Sequence, residues 1–404
     1  MPVLLCLSLL CVSCTTQTSG VPPVSTSTIS TTTAPIASGT PATCGKWTVA
    51  HSPASGNYTN MLYGIAALST TDAWAVGTYG NTNGPGLTLI EHWNGSTWSV
   101  ASSPNPAEAG NNQLFSVTAL STTDAWAVGS YFVTDGARRT LIEHWNGKAW
   151  SIVPSPNPTT NNTELDNVVA ISDTNVWAVG DSTTDAQVLQ TLVEHWNGSA
   201  WSIVPSPNPA GATTSLLSGI AAISDNNIWA VGSASGKRNS STLVEHWNGS
   251  VWSVVNSPNT ASSGNDLNAL ATISTSNIWA AGMTFNEYGS SARTLIEHWN
   301  GSVWSIVPSP NPAGSVNNDL LSIAAVSASD IWAVGQLDTG HRTYYTLIEH
   351  WNGSAWSITS RLDTKSQPNF LQAVTRVPAT GNVWAAGYQF NSNNLLTPLI
   401  ESYC

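Results

Sequence analysis

The chain has 404 residues, of which only 8% are charged, and its formal net charge is -12. Nucleic acids and anionic membrane surfaces attract basic proteins, so this balance argues against both as general partners. The hydrophobic fraction of 41% supports a packed interior, but a single core rarely extends beyond about 300 residues. A chain of this length therefore contains several domains or an internal repeat.

Residues 1–14 contain an apolar run that is too short to span a bilayer but is typical of a signal peptide. The segment Cys11-Val12-Ser13-Cys14 resembles a bacterial lipobox, which implies lipidation of Cys14. Cys11 occupies a position that is usually aliphatic, and no basic residue precedes the run. Plain secretion and a misplaced start codon therefore stay open beside lipidation. We expect an extracellular or cell-surface protein, with any membrane contact made through the lipid anchor.

Residues 15–43 hold fifteen Ser and Thr residues, several prolines and no charge. Such a segment cannot bury enough apolar surface to offset the entropy of ordering, so it is predicted to be a disordered linker. It would hold the domain away from a surface. The alternative is a leader remnant without a role.

The tryptophans reveal a repeat of 50 to 53 residues. All twenty occupy one of three repeated positions. The motif W-A-[VA]-G contains Trp74, Trp126, Trp177, Trp229, Trp279, Trp332 and Trp384; the motif [IV]-E-H-W-N-G contains Trp93, Trp145, Trp196, Trp247, Trp299 and Trp351; the third series is Trp47, Trp98, Trp150, Trp201, Trp252, Trp304 and Trp356. Such regularity indicates architecture rather than twenty separate sites.

Each repeat contains four short segments rich in β-branched or aromatic residues, separated by Gly, Asn, Asp, Ser or Pro. In the first repeat they are LYGIAALS, DAWAVGTY, LTLIEHW and TWSVAS, which we name strands a to d. Four strands repeated seven times predict an all-β fold, a seven-bladed β-propeller with four-stranded blades over residues 44–404. The small residues of strand a place it innermost.

The two ends of the repeat region each supply part of one blade. Residues 399–404 (LIESYC) form a strand c, and residues 46–49 form a strand d without a preceding strand c. We therefore predict a 3+1 ring closure by the N- and C-terminal strands. Aligned on the complete repeats, Cys44 and Cys404 become neighbours, and in an oxidising environment they are predicted to form a disulfide. Cys6 and Cys11 would leave with the signal peptide.

The repeats resemble the tryptophan-rich propellers of exported bacterial proteins, and the resemblance covers residues 44–404. The turn between strands c and d is also similar to a degenerate Asp-box of the BNR type, because Gly95, Thr97 and Trp98 match in register. The phrase D-x-W-A-V-G is similar to tectonin-type lectin propellers, whose repeat is shorter. These resemblances imply a propeller but no particular activity.

A Glu-His pair in strand c is the most conspicuous candidate for catalysis or metal binding. Equivalent positions on a ring lie on different blades, too far apart to share one metal ion, and adjacent strand residues point to opposite faces. We therefore assign the pairs a structural role in hydrogen bonding between blades. They are Glu91-His92, Glu143-His144, Glu194-His195, Glu245-His246, Glu297-His298 and Glu349-His350.

Function is predicted in the loops that differ between repeats, the b-c and d-a connections, which lie on one face of the ring. Arginine and aromatic side chains there suit a glycan, since rings cover its apolar face and guanidinium groups bind carboxylate or sulfate. Ordinary solvated loop residues are the alternative interpretation. The predicted ligand-binding residues are Tyr131, Arg138, Arg139, Lys237, Arg238, Tyr288, Arg293, Arg342, Tyr344 and Tyr345.

These features predict a monomeric, non-catalytic module that binds a glycan or a protein at the cell surface, without a cofactor or metal. A propeller glycosidase or polysaccharide lyase is the first alternative, and it would need a unique acid-base set near the ring axis. A structural scaffold in the cell envelope is the second alternative.

Overall fold

The computed structural model describes residues 45–404, except 83, 108–109, 135, 237–238, 288–290, 341–343 and 360–367. The regular secondary structure of these residues is β-strand throughout. They form no helix that is long and apolar enough to cross a membrane. The signal peptide, the linker and Cys44 lie outside the described residues, so those expectations stay predictions.

In this part of the chain, twenty-eight strands follow one another with the predicted order of a to d. After β1 (Trp47–Ala50) the sets are β2 Thr59–Ser69, β3 Asp72–Gly80, β4 Leu87–Trp93, β5 Trp98–Ala101; β6 Asn112–Ser121, β7 Asp124–Phe132, β8 Arg138–Trp145, β9 Trp150–Ile152; β10 Thr163–Ser172, β11 Asn175–Thr183, β12 Leu189–Trp196, β13 Trp201–Ile203; β14 Thr214–Ser224, β15 Asn227–Ser235, β16 Ser240–Trp247, β17 Trp252–Val254; β18 Gly264–Ser274, β19 Asn277–Phe285, β20 Ala292–Trp299, β21 Trp304–Ile306; β22 Asn317–Ser327, β23 Asp330–Asp338, β24 Tyr344–Trp351, β25 Trp356–Ile358; and β26 Asn369–Arg376, β27 Val383–Phe390, β28 Leu396–Tyr403.

The first six sets each pair as four antiparallel strands and the seventh as three, and we call them units 1 to 7 in the order given. Units 3 and 4 are joined into one sheet by a single parallel pair, Leu189 with Thr214. The fourth strand of unit 7 is β1, which pairs with β28 in the register Trp47 to Tyr403. Beyond that pair, the Gly45 N–H donates to the Cys404 carbonyl at 2.7 Å. The two ends of the repeat region therefore share a sheet.

A glycine in every strand b allows strand a to approach it closely. A Cβ atom on Gly77 would lie 1.9 Å from the Met61 carbonyl oxygen, and the equivalent Gly232 shows 2.0 Å to that of Leu216. At each of these contacts the register shifts by one residue in strand a, as between Leu62 and Gly64. The sequence motif W-A-[VA]-G thus produces a β-bulge in the neighbouring strand.

Apolar clusters fill the space between successive units. In unit 2, for example, Trp150 packs edge-to-face on Trp74 of unit 1, with ring centroids 5.1 Å apart. The last cluster contains Leu62 and Trp98 of unit 1 together with Ala386 and Ile400 of unit 7. Burial of these side chains between sheets is the main stabilising contribution within the described residues.

The Glu-His pairs divide between two structural roles. The glutamates are buried and accept hydrogen bonds from a serine that precedes their unit, as from Ser155 to Glu194 at 2.7 Å. The histidines instead bond within their own unit, as from His144 to Asp124 at 2.9 Å. Because the two side chains point to opposite faces, they do not form one site.

Candidate ligand-binding cavity

The first strand of every unit contributes to one cavity of about 760 Å³. Its wall includes the bulged residue of each strand, the one that has no partner in the strand b register. A bulge re-aims a side chain, which explains why these seven residues face the cavity. We call them the wall residues: Tyr63, Phe115, Asp166, Ser218, Asn268, Leu321 and Gln372.

The wall residues differ in every unit, although the sequence around them repeats. The leucine before the bulge is the same in all seven strands: Leu62, Leu114, Leu165, Leu217, Leu267, Leu320 and Leu371. The next position holds seven different side chains. The leucine therefore packs between units, whereas the side chain at the wall position can differ from unit to unit without changing that packing.

Two aromatic wall residues are neighbours. The rings of Tyr63 and Phe115 have centroids 5.8 Å apart with planes tilted by 52°. Burial, followed by the influence of Tyr388, raises the pKa of Tyr63, so its hydroxyl is a neutral donor at physiological pH. Partly exposed rings of this kind can stack on the apolar face of a ligand.

Polar wall residues complete the ring of side chains. Asn268 donates to Asp319 at 3.1 Å and to the Leu320 carbonyl at 2.8 Å. By contrast, the side chains of Asp166, Ser218 and Gln372 have no hydrogen-bond partner within the described part of the chain. Their donors and acceptors are available to water or to a ligand.

Acidic groups are concentrated in the wall of unit 3. Glu164 and Asp181 lie opposite each other in the β10–β11 register, and both line the cavity with Asp166. Burial, and then the charges of Glu164 and Asp181, raise the pKa of Asp166 well above its usual range. Burial also raises the pKa of Asp181 to about 7. No group of three or more His, Cys, Asp or Glu among the described residues is placed to hold a metal ion.

The arginines predicted to bind ligand contact the protein itself. Arg138 pairs with Glu164, and its guanidinium carbon lies 5.3 Å from the Phe132 ring centroid. Arg139 donates to the Thr160 and Asn161 carbonyls at 2.9 and 2.8 Å. These contacts join the first residues of strand c in unit 2, beside the b-c loop, to β10 and to the d-a loop before it, so the two kinds of loop lie on one face.

The other described residues of the predicted set lie at strand ends next to b-c loops: Tyr131 in β7, Arg293 in β20, and Tyr344 and Tyr345 in β24. Arg293 donates to the Ser315 carbonyl at 3.2 Å, and the Tyr344 ring lies 5.4 Å from that of Phe370. Tyr131 and Tyr345 pack against apolar clusters between units. None of these six described residues lines the cavity. Lys237, Arg238, Tyr288 and Arg342 lie outside the described residues, and the predicted loop site as a whole stays a prediction.

The wall residues were not predicted from the sequence, because functional variation was expected in loops rather than in strands. The signal was present in the sequence. When the seven strands a are aligned on their shared leucine, the position that follows is the one that never repeats. Knowledge that this position is bulged, and so faces a cavity, requires the strand register.

No family model and no curated protein sequence matches the chain. Among solved structures it is similar to YCF48 bound to D1 peptide, with a TM-score of 0.54 and 13% identity over 89% of this chain and 95% of that one. It is also similar to an ulvan lyase of a polysaccharide lyase family, bound to -[GlcA(1-4)Rha3S]-, with a TM-score of 0.52 and 10% identity over 86% and 95% of the two chains. Both are β-propellers, and this chain has the β-propeller fold.

Proposed function

We propose that units 1 to 7 are the blades of a seven-bladed ring closed by the pairing of β1 with β28. The apolar clusters support this arrangement, because each joins one unit to the next and the last joins unit 7 to unit 1. In such a ring the seven strands a surround the axis, and the cavity is the axial channel. Its mouth opens among the b-c and d-a loops.

We further propose that the protein is a non-catalytic glycan-binding module with its site in this channel. The observation that carries the proposal is the set of wall residues, seven different side chains at one position of a repeated sequence. If the wall position only stabilised the fold, the same well-packed residue could occupy it in every unit, as leucine does at the preceding position. Differentiated side chains that face an open volume are what a binding site requires.

The chemistry of the wall suits a sugar. A sugar ring has an apolar face, which the neighbouring rings of Tyr63 and Phe115 can cover, and hydroxyl groups that need partners on its rim. The uncommitted groups of Asp166, Ser218 and Gln372 provide donors and acceptors around it. The volume of about 760 Å³ lies in the range of ligand pockets in proteins.

The module would act outside the cell as a monomer, either secreted or tethered through Cys14 and the linker of residues 15–43. The short apolar run in residues 1–14 and the composition of residues 15–43 support this part of the proposal. The predicted loop arginines would then frame the channel mouth and fix the loops, and the ligand itself would contact the wall.

A glycan array with the purified domain tests the proposal, followed by titration calorimetry with the best ligand. We expect Phe115→Ala to weaken binding about tenfold, because a stacking surface is lost. Tyr58→Ala, which removes an aromatic ring that is 55% exposed and outside the cavity, is the matched control and should bind normally.

Two results would contradict the proposal. Binding that survives Phe115→Ala but is lost in Arg139→Ala would place the site in the loops. Cleavage of a polysaccharide that is abolished by Asp166→Asn would make the protein an enzyme.

A further inference from the structure

We infer that the ligand of the channel carries a positively charged amine, so that the proposed glycan is an amino sugar whose ammonium group binds at Asp166 beside Phe115. This inference rests on the proposed function and names the class of sugar. Two observations support it: the residues that line the cavity include acids but no described base, and Asp166 is one of the wall residues.

The cavity is lined by acidic groups without basic ones. Glu164, Asp166 and Asp181 all contribute to its wall, and none of the described lining residues is a lysine or an arginine. An anionic sugar would therefore meet repulsion, and a neutral sugar would offer Asp166 no charged partner.

The nearest arginine does not neutralise all three acids. Arg138 reaches Glu164 from the neighbouring unit and lies over the Phe132 ring, and its charge also lowers the pKa of Asp166 and Asp181 without offsetting the rise that burial and the neighbouring acids cause. Arg139 and Arg293 donate to backbone carbonyls. Asp166 accepts no hydrogen bond within the described part of the chain.

Asp166 and Phe115 are wall residues of adjacent units, so a ligand group between them would contact a carboxyl group and an aromatic ring together. An ammonium group gains from both, through a charge-assisted hydrogen bond to the carboxylate and through attraction to the ring face. Burial and the charges of Glu164 and Asp181 raise the pKa of Asp166, and the opposing charge of Arg138 does not offset them, so a cationic ligand group would favour the ionised form.

The test compares two ligands that differ only at the amine: oligomers of glucosamine and of N-acetylglucosamine of equal length, titrated into the wild-type domain at neutral pH and low salt. We expect the glucosamine oligomer to bind at least about tenfold more tightly. Asp166→Asn should abolish this preference while leaving the acetylated oligomer bound. Asp173→Asn removes the same charge at an exposed turn outside the cavity and should change neither affinity.

Equal affinity of the two oligomers for the wild-type domain would overturn the inference and leave the proposed function standing. Tighter binding of a lysine-rich peptide than of the amino sugar, or release of the amino sugar by millimolar Ca²⁺, would also overturn it. Failure of every glycan on the array would instead refute the proposed function. Because the ligand comparison uses the wild-type domain, it is decisive even if Asp166→Asn is unstable.

Discussion

The outer strands of each unit largely repeat the same residues, whereas the inner wall position has a different residue in every unit. In strand c and just after strand d the same side chains recur and make the same contacts, as the hydrogen bonds from Ser103 to Glu143 and from Ser206 to Glu245 show. At the bulge of strand a, no two units carry the same residue. The difference teaches that repetition in this chain marks the frame and that its absence marks the place where we propose that a ligand is recognised.

Unit 7 offers the strongest way to test the frame, because there the outer strand comes from the other end of the repeat region. We predict that Cys44 and Cys404 form a disulfide, which would remove roughly 5 kcal/mol of unfolded-state entropy in the chain-entropy model. Cys404→Ser should then lower the free energy of unfolding strongly, as measured by chemical denaturation. Free thiols at both positions, found by mass spectrometry of the non-reduced protein, would refute the pairing.

We expect the next largest effect on stability from replacing one of the repeated glycines of strand b. Gly232→Ala would place a Cβ atom 2.0 Å from the Leu216 carbonyl oxygen, so the strands must separate at the bulge. We expect a loss of about 4 kcal/mol in the free energy of unfolding, since backbone clashes are among the most destabilising changes. Gly236→Ala, where the added Cβ meets nothing within 4 Å, is the matched control and should be close to neutral.

The buried glutamates predict how stability depends on pH. Burial raises the pKa of Glu194 to about 8, although the hydrogen bond from Ser155 opposes the shift. Such a group is stabilising while it is protonated, so its contribution is complete below the unfolded pKa of about 4.3 and is lost as the pH rises through 8. The melting temperature should therefore rise when the pH falls from 8 to 6.5. Below that, burial lowers the pKa of His195, His246 and His298 and opposes a further rise.

Glu194→Gln isolates one of these groups. The amide mimics the protonated acid and can accept from Ser155, so the variant should gain about 1 to 2 kcal/mol over wild type at pH 8 and little at pH 5. Denaturation at both pH values measures the difference. An equal effect at the two pH values would mean that Glu194 stays ionised.

The smallest effect on stability is expected in the wall itself. The side chain of Leu321 is partly exposed and lines the cavity. Leu321→Gln replaces it with the residue that unit 7 has at the equivalent position, Gln372. The free energy of unfolding should change by less than about 1 kcal/mol. A loss comparable to that of Gly232→Ala would show that the wall belongs to the frame.

The strands could be predicted from sequence because each repeats a period of two with turn residues at its ends, and seven copies average out local ambiguity. The pairing of residues 46–49 with the last strand followed from counting strands. The bulge could not be predicted in this way. One additional residue such as Tyr63 looks ordinary in a sequence, and only its missing partner in β3 reveals its direction.

The loop arginines illustrate the opposite difficulty. A cluster of cations and aromatic rings in variable loops predicts a binding surface. A guanidinium group such as that of Arg139 can, however, donate its hydrogen bonds to nearby backbone carbonyls instead of to a ligand. Sequence composition does not distinguish an arginine that holds a loop from one that awaits a ligand. Only the hydrogen bonds of Arg139 to carbonyls more than twenty positions away in the sequence show that it holds a loop.

The hydrogen bond between Gly45 and the Cys404 carbonyl has a consequence for engineering. Because these residues are neighbours, a short linker could join them, and new termini could be opened at an exposed Asn-Gly turn such as that at Gly249. The resulting circular permutant would keep every strand pairing while moving the seam to unit 4. It would also display its ends at a c-d turn, away from the b-c and d-a loops, so a label or a solid support there would leave the proposed entrance to the channel open.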